Sequence, residues 1–313
     1  MPENIAFLFP GQGSQFVGMG KDLADEFPEV KEIFGMLDEV CGKTISKLCF
    51  EGPIDELTLT VNLQPAITAV NLACLTVLNK SGISPEVSAG HSLGEYGALA
   101  AANVITLYDC LNLVRKRGEL MHRESMFNPG GMTAVIGMDI KTVADIVASA
   151  QEKGVLAIAN HNSEQQIVIT GEESALSYAA DLVKEKRGKA IPLKVSGAWH
   201  CSLMKDAVDD FREFMEDITF SSPLTSVLFN ATADEEKDPE KIKDIMALQL
   251  TSPVKWYDII LRMLEQKVDI FVEVGPKKVL TGLLGKIIPR ENGTRVYNVE
   301  DLKSLEGFLG ELS

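Results

Sequence analysis

The chain has 313 residues, 45% of them hydrophobic, 24% charged and 6% aromatic, and its formal net charge is −15. This is enough apolar material for one large core with a smaller insert. The acidic balance excludes a general nucleic-acid binder, which needs a basic face to neutralise phosphates.

The N-terminal stretch MPENIAFLFPGQG has no basic leader, and its apolar run Ile5–Phe9 is too short for a signal peptide. That run reads as a strand broken by Pro10-Gly11. The loop Gly11–Gln15 then leads into an amphipathic helical stretch ending before Gly42. Ala66–Leu78 reads as an apolar helix stopped by Gly82 and Pro85. Val87–Ala89 is a brief strand, followed by a small-residue helix, Leu93–Ala102, and a further helix, Leu107–Glu124. Short apolar strands alternating with helices predict an α/β domain with a largely parallel sheet.

After the loop Asn128–Gly131 the pattern changes. Met132–Met138 reads as a strand, Ile140–Gln151 as a helix, and Val155–Ala159 and Gln166–Thr170 as strands around a turn at Asn160–Glu164. A helix Ser174–Lys186 and a strand Ala190–Val195 complete the order β-α-β-β-α-β, a ferredoxin-like unit. It is assigned to residues 127–196, inserted between large-domain segments 1–126 and 197–313. The return segment carries a helix at Leu203–Met215, a strand Ser226–Asn230, a helix from Pro239, and the near-continuous apolar strand Val268–Val274 of a buried parallel sheet. No stretch is expected to reach the roughly 18 apolar residues of a spanning helix. The five dispersed cysteines form no C-x-x-C pair and read as free thiols in a reducing cytoplasm, with no metal site.

Gly90-His91-Ser92-Leu93-Gly94 fits G-x-S-x-G, a nucleophile elbow, in which a strained strand-to-helix turn presents the serine and the helix N-terminus offers free N–H groups to an oxyanion. A serine nucleophile needs a base, usually histidine. Of the four histidines, His91 adjoins the serine, His122 flanks the apolar face of a helix, and His161 falls in the predicted turn of the insert. Elimination favours His200. The glycine-rich start is not a nucleotide motif: a dinucleotide fingerprint needs glycine where Phe16 stands, and a phosphate loop needs lysine where Met19 stands. Helical spacing puts both Arg115 and Arg117 on the shoulders of an apolar face and does not choose between them. A hydrolase would share the elbow, the base and the oxyanion hole, and a scaffold could retain the fold without activity. The acceptor, water or a second thiol, is not legible in these residues.

FPGQGSQ (Phe9–Gln15), GHSLGEY (Gly90–Tyr96), the RxRGxxM stretch Arg115–Met121 and VSGAWHCSLM (Val195–Met204) together resemble the malonyl-CoA:acyl carrier protein transacylase family. QLTSPVKW (Gln249–Trp256) and EVGPKKVLTGLL (Glu273–Leu284) fit it in the same order. The resemblance implies an α/β-hydrolase-like core carrying the insert, and a ping-pong transfer from malonyl-CoA to a holo carrier protein of fatty-acid or polyketide synthesis. It implies that Ser92 is acylated, that His200 is its base, and that Gln12 and Leu93 supply the oxyanion-hole amides. Gln249 would orient His200 through its main-chain carbonyl, and Arg117, the arginine directly before Gly118, would hold the malonyl carboxylate. Gln64 and Met121 would line the acyl pocket and Asn160 would contact coenzyme A. The chain departs from the family at Trp199, where phenylalanine is usual; a bulky aromatic there disfavours branched acyl groups, and the larger indole is expected to narrow the pocket. A monomer with no cofactor beyond the thioester substrate, and no nucleic-acid or membrane partner, is expected. An acidic carrier needs a local basic dock, for which Lys184, Lys186, Arg187 and Lys189 form one candidate and Lys277, Lys278, Lys286 and Arg290 another.

Overall fold

Ile5–Phe9 is buried on both faces, and its alternate side chains enter two different cores. Ala6 and Leu8 pack with Val87, Ala89 and Phe271, whereas Phe7 and Phe9 pack with Ile270, Val272 and Val274. A strand that is apolar on both sides needs a layer on each face, the arrangement of a covered parallel sheet. The computed structural model describes residues 3–289 and 293–312, so Arg290 lies outside the described residues.

The described strands are, in chain order, β1 (Ile5–Phe9), β2 (Val87–Gly90), β3 (Gly131–Ile136), β4 (Leu156–Ser163), β5 (Gln166–Gly171), β6 (Lys189–Pro192), β7 (Ser226–Val227), β8 (Ile270–Val274) and β9 (Arg295–Val299). Five form a wholly parallel sheet in the order β7-β2-β1-β8-β9. The helices Pro28–Cys41, Thr60–Lys80 and Leu107–Phe127 supply the core on one face, and Trp256–Glu265 and Val279–Ile287 the core on the other. The other four strands form an antiparallel sheet in the order β4-β5-β3-β6, the ferredoxin-like arrangement expected of this segment. One face of that sheet packs Val135, Ile167 and Ile169 against the helices Ile140–Ala150 and Glu173–Glu185. The opposite face sends Met132, Ala134 and Val168 into the large core. That second face forms one wall of the cavity described below.

Several sequence expectations need correction. Thr60–Lys80 is a 21-residue helix apolar enough to cross a membrane by length and composition, contrary to the expectation of no such stretch; 89% of its most apolar window is buried, as in a core helix. Asn160 and His161 belong to β4 rather than to a turn, because β4 runs on through two register shifts. The strand expected at Ser226–Asn230 is only two residues long. Helices Trp256–Glu265, Val279–Ile287 and Leu302–Leu312 and strand β9 were not anticipated.

Candidate active site

The turn after β2 closes so tightly that no side chain fits two residues to either side of the serine. A Cβ on Gly90 would lie 1.8 Å from the Gly94 carbonyl carbon, and one on Gly94 would lie 1.9 Å from the Phe9 carbonyl oxygen. Ser92 itself has φ of +51°, a left-handed conformation costly for a side chain. His200 is held at +63° in the same region. The surrounding structure therefore over-determines the backbone at both residues.

The Ser92 hydroxyl is 2.8 Å from His200 Nε2. His200 Nδ1 faces the Gln249 carbonyl at 2.9 Å and the Ser252 carbonyl at 3.0 Å. A carbonyl only accepts, so the Nδ1 proton is donated there and Nε2 is left to accept from the serine. No carboxylate touches the imidazole among the described residues. Burial first, and then the Arg117 cation, push His200 down to about 3, so it stays neutral over the ordinary pH range.

Arg117 is 1% exposed and reaches Ser92 from helix Leu107–Phe127, passing beside the Tyr96 ring at 5.8 Å. It donates to Ser92 Oγ at 3.1 Å, to Gln249 Oε1 at 3.0 Å and to Gln64 Oε1 at 2.9 Å. Periodicity put Arg115 and Arg117 on equal shoulders of the helix. The structure separates them, because Arg115 pairs with Glu119 and Asn112 away from the serine.

A cavity of about 210 Å³ opens over Ser92 and His200. Gln12, Leu93, Met121, Asn160 and Trp199 line it. Neither the Gln12 nor the Leu93 amide has a hydrogen-bond partner among the described residues. A Cβ on Gly11 would stand 3.5 Å from the Leu93 nitrogen, which shows how closely the two loops meet. Gln64 does not line the cavity. It stands behind Arg117, with its amide NH₂ against Met121 Sδ at 3.2 Å. The distal ring of Trp199 rests against Gly197, where a Cβ would fall 2.6 Å from it and 2.8 Å from Ser125 Cβ. The extra indole volume is thus taken up at Gly197, within the wall, rather than wholly in the pocket.

No other histidine bonds the Ser92 hydroxyl, although His91 lines the same cavity. His91 bonds Asn162 at 2.8 Å and meets Trp256 edge-on; His161 packs against Tyr257; His122 is exposed. Three neighbours were not singled out from the sequence. Asn230 accepts the Ser92 N–H at 2.7 Å, Ser252 shares the His200 proton, and the fully buried Glu95 holds Gln249 and Asn230. Burial pushes the Glu95 carboxyl up to about 7. Glu95 had a visible signal, being the one charge in an otherwise apolar helix, Glu95–Ala101. Asn230 and Ser252 had none.

Residues 6–301 match the model of the acyl transferase domain family. The chain is 41% identical over 301 residues to the malonyl CoA-acyl carrier protein transacylase of Bacillus subtilis, covering 96% of this chain and 95% of the relative. The chain belongs to the malonyl-CoA:acyl carrier protein transacylase family of acyl transferases. Within this family, a Bacillus subtilis enzyme named for polyketide biosynthesis is also 41% identical, over 90% of this chain and 96% of its own. A crystal structure of an acyl carrier protein S-malonyltransferase from Vibrio cholerae superposes with a TM-score of 0.93 at 39% identity, covering 98% of this chain and all of that one. A malonyl-transacylase solved in complex with a type II polyketide acyl carrier protein gives 0.94 at 36% identity, over 99% of this chain and all of its own. At one end of the cavity the site brings together a serine, a histidine and two main-chain amides without partners among the described residues.

Proposed function

We propose that the protein transfers the malonyl group of malonyl-CoA to the phosphopantetheine thiol of a holo acyl carrier protein, through a malonyl ester on Ser92. The observation that carries this reading is the Arg117 guanidinium, buried and bonded to the nucleophile itself. A fixed cation beside the reacting oxygen suits an acyl group ending in a carboxylate, which a guanidinium can hold through two parallel hydrogen bonds. An acetyl group has nothing to place there.

In the first half-reaction Ser92 Oγ attacks the thioester carbonyl as His200 Nε2 takes its proton. The imidazolium keeps its Nδ1 proton on the Gln249 and Ser252 carbonyls, which replace the acid of a triad. The Gln12 and Leu93 amides receive the oxyanion. Collapse breaks the carbon–sulfur bond, and His200 returns its proton to the departing thiolate. In the second half His200 deprotonates the carrier thiol, which attacks the ester, and the proton returns to Ser92. Pairing of Arg117 with the malonyl carboxylate neutralises the charge that helps to hold His200 down, so the correct substrate makes the base stronger. Every proton and bond in the cycle is accounted for by these side chains and the two thiols.

Of the two candidate docks, Lys277, Lys278 and Lys286 flank the cavity-lining Val279, Leu280 and Leu283. Lys286 also bonds Gln166 on the opposite wall, at 2.7 Å. They are the better-placed dock for an acidic carrier. We assign the protein to chain extension in cytoplasmic fatty-acid synthesis. A polyketide carrier is the second reading, supported by the polyketide relative and by the carrier complex among the solved structures. Intact-protein mass after brief mixing with malonyl-CoA, followed by a chase with holo carrier protein, tests the function. A malonyl adduct that persists in water and moves to the carrier is expected. An adduct lost to water would mean a hydrolase, and no adduct would mean a scaffold.

A further inference from the structure

The peptide of Ser92 is clasped on both sides by amide side chains, and both clasps are anchored on one carboxylate. Asn230 Oδ1 accepts the Ser92 N–H at 2.7 Å, and Gln249 Nε2 donates to the Ser92 carbonyl at 2.9 Å. Glu95 Oε1 accepts the Asn230 backbone N–H at 2.6 Å, and Glu95 Oε2 accepts from Gln249 Nε2. Glu95 is 0% exposed and takes no part in the proton transfers described above.

The Gln249 amide has one satisfactory orientation. Its NH₂ faces two acceptors, the Glu95 carboxylate and the Ser92 carbonyl, and its Oε1 faces the Arg117 guanidinium, which only donates. A flipped amide would set oxygen against oxygen and NH₂ against guanidinium. We infer that Glu95 is a positioning residue for donor selection, locking the Gln249 amide so that its carbonyl holds Arg117 across the Ser92 hydroxyl. The chain of contacts runs carboxylate to amide to guanidinium to nucleophile, and it ends on the group that would recognise a substrate carboxylate. This inference rests on the malonyl reading of Arg117. When ionised, Glu95 is also a negative charge buried near that cation, where each reduces the cost of burying the other.

Replacing Glu95 by Gln keeps the shape and an acceptor for Asn230, but presents an NH₂ to the NH₂ of Gln249. The Gln249 amide must then turn, or the pair must part, and Arg117 loses its acceptor. A role confined to supporting the elbow would slow all donors alike, whereas a role through Arg117 falls on carboxylate-bearing donors.

The test is rapid-quench acylation of Ser92 at pH 8, with malonyl-CoA and acetyl-CoA as separate donors, for wild type, Glu95→Gln, Gln249→Ala and the double variant. Wild type loading malonyl is the check on the underlying function, and its failure would fall on that reading rather than on Glu95. The expected result is that Glu95→Gln lowers the malonyl-to-acetyl rate ratio about tenfold, the scale of one charge-assisted hydrogen bond. The double variant should show the ratio of Gln249→Ala alone, because the two residues act in series. An unchanged ratio in Glu95→Gln, equal losses for both donors, or additive losses in the double variant would overturn the assignment. Should Glu95→Gln fail to fold, Gln249→Ala decides: a ratio that stays at the wild-type value rules the relay out, and a tenfold loss supports it.

Discussion

The Arg117 guanidinium lies 3.1 Å from the Ser92 hydroxyl, so the group that would read the acyl carboxylate also touches the atom that would carry the acyl chain. The same cation lies near His200 and, with burial, depresses its basicity. A substrate carboxylate held by Arg117 would therefore couple recognition to reactivity through one side chain.

Arg117→Ala should cost roughly 2–5 kcal/mol in malonyl loading, the range for truncating one side of a desolvated charge pair. Acetyl loading should fall less, and discrimination between the two donors should relax. Single-turnover rates with each thioester measure both quantities. Equal losses would make Arg117 a structural residue.

Because His200 is held at about 3, it stays unprotonated and able to act as base well below neutrality. The rate of Ser92 acylation by acetyl-CoA in the Glu95→Gln variant, which removes the buried carboxyl held at about 7, should be nearly flat from pH 5.5 to 8. A tenfold fall centred near pH 6.5 would mean that His200 keeps the ordinary imidazole value.

Glu95 carries the opposite sign. Its folded value of about 7 lies above the ordinary 4.5, so between those values the folded chain holds a proton that the unfolded chain has released. Its contribution to stability is fully present below pH 4.5 and is lost as pH rises through 7. Relative to wild type, Glu95→Gln should gain stability between pH 4.5 and pH 8, by at most about 3 kcal/mol at 1.36 kcal/mol per unit. Urea unfolding of both proteins at the two pH values measures this difference. A variant that loses ground as pH rises would show that ionised Glu95 stabilises the fold.

Gly94→Ala should yield little soluble protein or lose more than about 4 kcal/mol, since its Cβ would meet backbone that has no side chain to swing away. That atom would stand 1.9 Å from the Phe9 carbonyl oxygen. Gly282→Ala, where nothing lies within 4 Å, is the matched control and should be neutral or slightly stabilising.

Reversing the charge of Lys277, Lys278 and Lys286 together should raise the apparent KM for carrier protein and flatten its salt dependence, leaving malonyl loading from coenzyme A less affected. The matching reversal at Lys184, Lys186 and Arg187 should leave the carrier KM unchanged. The opposite pattern would move the dock to the small sheet.

The chain order of the insert, the G-x-S-x-G elbow and the choice of His200 among four histidines were legible in the linear sequence. Each rests on a local rule: the period of side chains along an element, the conformations open to glycine, or the small number of bases available. Arg117 over Arg115 was not legible in periodicity, because equal positions on a helix shoulder become unequal only when a neighbouring element supplies Ser92, Gln64 and Gln249 to one of them. Gln64 was expected in the pocket and lies behind it, a difference of one packing layer that spacing does not encode. Glu95, Asn230 and Ser252 come from separate segments of the chain, and their hydrogen bonds exist only once the parallel sheet and the loops above it have closed. Residue types and local turns therefore determined which chemistry was available, while packing between distant segments decided which side chains lost water, found one another and changed their proton affinities.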